Sequence, residues 1–498
     1  MKIQHTLVAL ATLLVPPAVL AWQSPPSYTV EFLGTGHGPA DVNNLGQVVG
    51  TDSLAPANQR AWVMAPGQSP LWLPLPPGRV SSMATSINDL GQIVGSVSST
   101  TYAEPGFGAI AAIWTPTSSG SYTIQELGKL PGDVGSIALG INNLGDVVGT
   151  SNGSTFRKGV LFTAPGGILD LSPTGAFDPS DVNDARQVAC YHVGGARLDL
   201  NTMVLLDLGV PAGSYSNALG GYINASGQVA GYAVLATSGN CVYQAARYTD
   251  GIGWEVYGTC GPNNAAGSIN AFGDLTRFQN TVGVVHLEGI GDYGINALLD
   301  PASGPWALGT LVTGKINDQR QIAAFANNSA TGQSGIVLLT PHWDLGTPFC
   351  TGGFTNSTGG IATLTAAPTL AGSGLHLDVL GGPAGELGYL LVGTAANPAP
   401  TVPLGQGMLC LGTSSGNEIA RYNVGTGAQQ SLGMFNSSGV LVRVFGANGS
   451  GFDVPLQTGL NTVPTISTGT TLHFQGWFRD TPAGVGHSNA STALSYTF

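Results

Sequence analysis

The sequence predicts an all-β protein: a seven-bladed β-propeller followed by a β-sandwich of jelly-roll type. Three observations carry that expectation. A nine-residue motif occurs seven times, each repeat holds four short apolar runs, and the composition is poor in the residues that build exposed helices.

Composition bounds the fold class first. Only 8% of the 498 residues are charged, against about 25% in ordinary globular chains. Glycine contributes 75 residues and the hydrophobic set 43%. Few Lys, Glu and Arg leave little to furnish solvent-facing helices, whereas Gly, Thr, Ser, Asn and Val suit strands joined by tight turns. The 15 basic against 27 acidic residues give a net charge of −12, which argues against nucleic acid as a partner because phosphate binding needs clustered Lys and Arg.

The motif is seen in Ile87-Asn88-Asp89-Leu90-Gly91-Gln92-Ile93-Val94-Gly95. Its asparagines fall at Asn43, Asn88, Asn142, Asn183, Asn224, Asn270 and Asn317, separated by 45, 54, 41, 41, 46 and 47 residues. A period of this length marks a repeated supersecondary unit. In the second repeat the segments Ser82–Ile87, Gln92–Val97, Ala109–Trp114 and Tyr122–Leu127 are apolar runs bounded by Gly, Pro, Ser or Asn. Four strands per repeat is the pattern of a propeller blade. Asn88-Asp89-Leu90-Gly91 lies between the first two strands and has the chemistry of a hairpin turn, with Gly91 supplying positive φ. Seven copies of one constellation read as turns, not as seven active sites.

Departures from the template are informative. Arg186 and Arg320 stand at the turn glycine, and Cys190, Arg277 and Ala324 replace the second glycine that is Gly50, Gly95, Gly149 and Gly231 elsewhere. These are places where a site could interrupt the ring. Tyr28 to Gly34, ahead of the first motif, resembles Tyr122 to Gly128 at the end of a repeat. An N-terminal strand that completes the final blade closes such a ring without an exposed edge. The repeat domain is therefore placed at residues 28–346.

The segments Ala84 to Gly95 and Ala138 to Gly149, both A-x-x-I-N-x-x-G-[QD]-[IV]-V-G, resemble the HAF-type extracellular repeat of bacteria. The resemblance covers about two thirds of the chain. It implies a secreted β-rich repeat protein, released or held at the cell surface, and it carries over no catalytic residue.

After Thr347 the period stops. Leu375 to Leu380, Glu386 to Val392 and Leu472 to Phe478 alternate apolar and polar residues as half-buried strands do, so residues 347–498 are expected to form the β-sandwich. Gly407 to Gly412, Ala420 to Tyr422, Phe474 to Asp480 and Ser495 to Phe498 resemble a C-terminal module of secreted planctomycete-type bacterial proteins, which implies an accessory role such as attachment or sorting.

Residues 1–21 carry Lys2, an apolar run from Leu7 to Leu20 and a small residue at Ala21, the pattern of a secretory signal peptide cut after Ala21. No later stretch reaches the roughly 20 apolar residues of a spanning helix. In an exported chain the five cysteines are free to pair. Spacing suggests Cys241 with Cys260 and Cys350 with Cys410, leaving Cys190 over; five unpaired cysteines is the alternative.

Chemistry is sparse. The chain has no HExxH, phosphate-binding loop, CxxC or D-x-D-x-D-G motif, so no catalytic residue, metal site or cofactor is assigned. His286, His376 and His473 lie in strand-like runs and read as packed. Propellers take ligands where the loops leading into the innermost strands converge. Those loops hold His37, Arg79, Asp133, Asp178, Tyr215 and Asn263, whose mixed charge suits a carbohydrate or an extracellular peptide or protein; the alternative is that they are solvated loop residues. Two functions follow: an extracellular binding or surface-structural protein without catalysis, and a polysaccharide hydrolase or lyase at the ring mouth. The second requires two carboxylates or an Arg cluster facing the axis.

Overall fold

The computed structural model describes residues 25–498 apart from 37, 53–57, 104–107, 154–155, 164–165, 191–193, 237–241, 262–263, 280–281, 310–313, 344, 351–354, 369–373, 401, 423–429, 437–438, 444–450, 468 and 482–483. The expected signal peptide therefore lies outside the described residues. Contacts divide the chain into two compact units between Trp343 and Asp344, slightly before the boundary read from the sequence.

The first unit contains, among the described residues, six four-stranded antiparallel sheets and a seventh of five strands. The four-stranded sheets run in chain order, an arrangement consistent with a propeller. In the second, the strands Ser81–Ile87, Ile93–Ser98, Ile110–Pro116 and Tyr122–Gly128 coincide with the four apolar runs of that repeat.

The paired apolar residues of each motif serve two neighbours at once. Ile93 packs with Val49 and Val63 of the first sheet, whereas Val94 packs with Ala138 and Ile141 of the third. Successive side chains of a strand face opposite ways, so a sheet covered on both faces needs apolar residues in succession. Val147 and Val148 divide in the same manner. Trp62 of the first sheet packs with Ile336 and Leu338 of the seventh, which returns the circuit of contacts to its start. Ser27–Gly34 pairs antiparallel with Ser334–His342 at the edge of that seventh sheet, so the N-terminal strand joins the last repeat as its sequence suggested.

A register shift interrupts the innermost strand of six sheets at the third position before the motif asparagine, as between Ala84 and Ser86 or Gly220 and Tyr222. A bulge leaves one residue outside the ladder and re-aims its neighbours. Thr85 and Ser180 sit at such positions, and their hydroxyls donate to the carbonyls of Val94 and Ala189 on the adjoining strands.

In three sheets the second motif glycine follows from the length of that inner strand, whereas Gly50, over a four-residue inner strand, makes room for the Trp62 ring. A Cβ at Gly95, Gly149 or Gly231 would collide with the carbonyl of Met83, Ile137 or Leu219 respectively. In these three sheets the inner strand continues upstream of the bulge, for 7, 7 and 9 residues. Where Cys190, Arg277 and Ala324 replace the glycine, the inner strand has only 4, 4 and 2 residues, so the space a Cβ needs is open.

In the second unit, a seven-stranded sheet and a three-stranded sheet share one apolar core, in which Leu377 and Val379 meet Leu390, Phe474 and Phe478. The three alternating segments read from the sequence are the strands Leu375–Leu380, Leu387–Gly393 and Thr471–Asp480. A disulfide joins Cys350 to Cys410. Cys190 is free and buried. Cys260 is disulfide-bonded, and its expected partner Cys241 lies outside the described residues.

Candidate functional site

The seven motif asparagines form a closed cycle. Each Nδ2 donates to the backbone carbonyl of the next: Asn43 to Asn88, Asn88 to Asn142, and onward through Asn183, Asn224 and Asn270 to Asn317, which donates back to Asn43 at 2.9 Å. The second Nδ2 hydrogen goes to the side chain four residues on, Gln47, Gln92, Asp146, Gln187, Gln228, Asp274 or Gln321. That requirement explains why only Gln or Asp occupies this motif position. All seven asparagines are buried, and their donors are used within the fold, which removes them from any chemistry.

Inside this cycle is a cavity of about 220 Å³. Its polar lining includes the residues two before six of the seven asparagines, Asp41, Ser86, Asp181, Tyr222, Ser268 and Lys315. Both carboxylates clamp neighbouring sheets. Asp41 accepts from Val42 N at 2.9 Å, Ser86 Oγ at 2.8 Å and Ile87 N at 3.0 Å. Asp181 accepts from Val182 N at 2.8 Å and Ile223 N at 3.0 Å. Burial, with the charge of Asp41 adding to it, still pushes Asp181 up to about 7. Lys315 donates to Tyr222 Oη at 3.0 Å and to the Gly267 carbonyl at 2.8 Å. Burial works against its ammonium, but Tyr222, Asp41 and Asp181 hold it above the ordinary lysine range, so it stays protonated.

One residue beyond the cycle, Asp89, Asp184 and Asp318 alternate with Asn44 and Asn143, whose amides bridge carboxylates on either side. Among the described residues no group of three His, Cys, Asp or Glu is placed to hold a metal ion.

Of the loop residues singled out from the sequence, Arg79, Asp133, Asp178 and Tyr215 line neither this cavity nor the larger one beside it. Arg79 pairs with Glu126 at 2.7 Å. Burial opposes the Asp133 carboxylate, but Ser151 and Lys158 hold it below its ordinary range. Asp178 faces Arg157 at 3.4 Å, and Tyr215 donates to Gln244 Oε1 at 2.7 Å. Each joins strands or loops within the scaffold; His37 and Asn263 lie outside the described residues.

The template-breaking residues also have structural partners. Arg186 and Arg320 hold the positive φ of the turn at 63° and 59°, and each reaches back to the preceding repeat, Arg186 to Asp146 and Arg320 to Asp274. Arg277 pairs with Asp292 at 2.7 Å. Of the histidines, His286 contacts Asp292, His376 contacts Asp453, and His473 contacts Ser495 Oγ.

Asp41, Asp181, Tyr222 and Lys315 were missed because attention went to loops. Their signal is a column: two residues before each asparagine, and just before a position that is always Val or Ile, the sequence reads Asp, Ser, Gly, Asp, Tyr, Ser, Lys. A strand position that varies in polarity beside one that stays apolar marks side chains that leave the common core.

No protein-family description matches the chain, and no curated protein does. Among solved structures, one described as gluconolactonase-like is similar over 66% of this chain and 93% of its own, with 10% identity and a TM-score of 0.27; that similarity is too low to bear on function. Among the described residues no helix is long and apolar enough to cross a membrane.

Proposed function

We propose that this chain is a secreted or surface-held bacterial binding or structural protein of the HAF-repeat type without catalysis, taking a carbohydrate or peptide. Its first unit is read as a seven-bladed propeller and its second as a jelly-roll-like sandwich. Leader cleavage after Ala21 and export belong to the same reading. The observation that carries it is the use of the axial carboxylates: every oxygen of Asp41 and Asp181 accepts from a backbone N–H or a hydroxyl. Such groups fix neighbouring sheets, and the one amine among them is protonated and so not a nucleophile.

A hydrolase or lyase is the second reading, favoured by one arrangement: Asp41 and Asp181 line the same cavity, and burial pushes Asp181 up to about 7, a range that suits a general acid. Incubating residues 22–498 with glycan and peptide panels, with release of reducing ends and unsaturated products followed in parallel, separates the two. Retention without turnover supports the binding protein. Turnover that Asp181→Asn abolishes contradicts it.

A further inference from the structure

A second cavity, of about 540 Å³, shares Tyr222 and Lys315 with the first and extends along the inner strands away from the asparagine turns. Its walls include Met83, Leu139, Leu219 and Tyr232. Volumes of this size with apolar walls and a few convergent polar groups are typical of small-ligand sites.

The floor has unused donors. An ammonium has three hydrogens, and Lys315 gives two, to Tyr222 Oη and Gly267 O. Tyr222 Oη accepts that bond, and its own hydrogen meets no acceptor among the described residues. One N–H and one O–H therefore stand side by side beneath an apolar shaft. Asp41 and Asp181 already attract the Lys315 charge, so an incoming group need not be an anion. What fits is a neutral molecule with adjacent oxygen acceptors and an apolar face that can lie against the tyrosine rings.

The room for it is made by an absent side chain. At the bulge position the first four repeats carry Ala40, Thr85, Leu139 and Ser180, and the last three carry Gly221, Gly267 and Gly314. A Cβ built on Gly221 would meet nothing within 4 Å. Gly221 thus leaves open space in the cavity wall beside Tyr222, where the donors are.

We infer that this cavity binds a neutral sugar unit of an oligosaccharide, with Tyr222 and Lys315 donating to its oxygens and Gly221 leaving its space. The inference rests on the binding-protein reading and names its ligand class and site. Adjacent hydroxyl and ring oxygens supply the paired acceptors, and the C–H face of the ring supplies the apolar surface.

The test is calorimetric titration of residues 22–498 with trisaccharides selected from a panel of neutral and uronate-containing glycans, alongside a peptide array. A neutral oligosaccharide should bind, and Tyr222→Phe, which keeps the ring and removes the O–H, should weaken it about tenfold. Gly221→Trp should abolish binding by filling the space, while Arg79→Ala should leave it unchanged. Circular dichroism melts establish that each variant folds. Neutral-glycan binding unaffected by both Tyr222→Phe and Gly221→Trp overturns this site while leaving the binding function standing. Preference for uronates, or binding of peptides alone, overturns the ligand class. A folded protein that retains nothing overturns both the inference and the reading beneath it.

Discussion

Arg320 forms a buried ion pair with Asp274 of the preceding repeat, Nε to Oδ2 at 2.6 Å, although Arg320 occupies a turn position where the other repeats, apart from that of Arg186, have glycine. Asp274 is fully buried and also accepts from Asn270 Nδ2 and Glu288 N. The same pairing links Arg186 to Asp146. Asp replaces Gln at the sixth motif position only in the Asn142 and Asn270 repeats, those immediately before the two arginines.

Arg320→Gly relieves a left-handed backbone strain on the order of 1 kcal/mol but leaves Asp274 as an uncompensated buried charge. It should lower stability by about 3–5 kcal/mol. Adding Asp274→Gln restores the Gly and Gln of the other repeats and should recover most of the loss. Urea denaturation of both variants measures this; additive losses in the double variant would contradict the coupling.

The glycine at position 95 is required by backbone and not by motif identity. Gly95→Ala places a methyl against the Met83 carbonyl and should cost on the order of 2–3 kcal/mol. Ala324→Gly, at the equivalent position over a two-residue inner strand, should cost only about 1 kcal/mol through backbone entropy. Equal denaturation midpoints for the two variants would remove the link between inner-strand length and this glycine.

His376 sets a pH dependence in the second unit. Burial disfavours its charge, yet Asp378 and Asp453 overcome this and raise it to about 9. A group whose folded pKa lies above its unfolded value of about 6.5 stabilises fully below that value and loses its contribution as pH rises through the folded one. Calorimetry should therefore show the melting of this unit falling between pH 6.5 and 9, by on the order of 2 kcal/mol. His376→Gln should flatten that interval, and an unchanged slope would refute the assignment.

The Cys350–Cys410 bond closes a span of 60 residues, for which chain entropy gives about 4 kcal/mol. The Cys350→Ser, Cys410→Ser double variant should unfold at clearly lower denaturant by that order in its second unit, without moving the transition of the repeat unit. Cys190, whose thiol burial pushes up to about 12, should resist alkylation until the repeat unit unfolds.

The repeat was legible because its period, turn chemistry and paired apolar residues are local. Ile93 and Val94 announce a strand, and the structure adds that each serves a different neighbour. The N-terminal strand was legible from its likeness to Tyr122–Gly128. The candidate cavity was not, since it is lined by strand residues beside a bulge and not by the turn loops. Nothing local in Tyr222 or Lys315 reveals that residues 93 apart in sequence meet. The arginine substitutions read as interruptions because their partners lie a full repeat away, yet the Asp at the sixth motif position of the earlier copy is visible in the sequence.

The motif asparagines close the repeat unit on itself through a continuous cycle of side-chain amides. Side-chain amide hydrogen exchange in protein labelled with ¹⁵N at asparagine tests it most directly. Both hydrogens of Asn43, Asn88, Asn142, Asn183, Asn224, Asn270 and Asn317 are bonded and buried, so these seven amide pairs should persist in D₂O for hours after exposed asparagine amides have exchanged. Loss of the seven signals within the dead time, at the rate of the exposed amides, would contradict the closed ring.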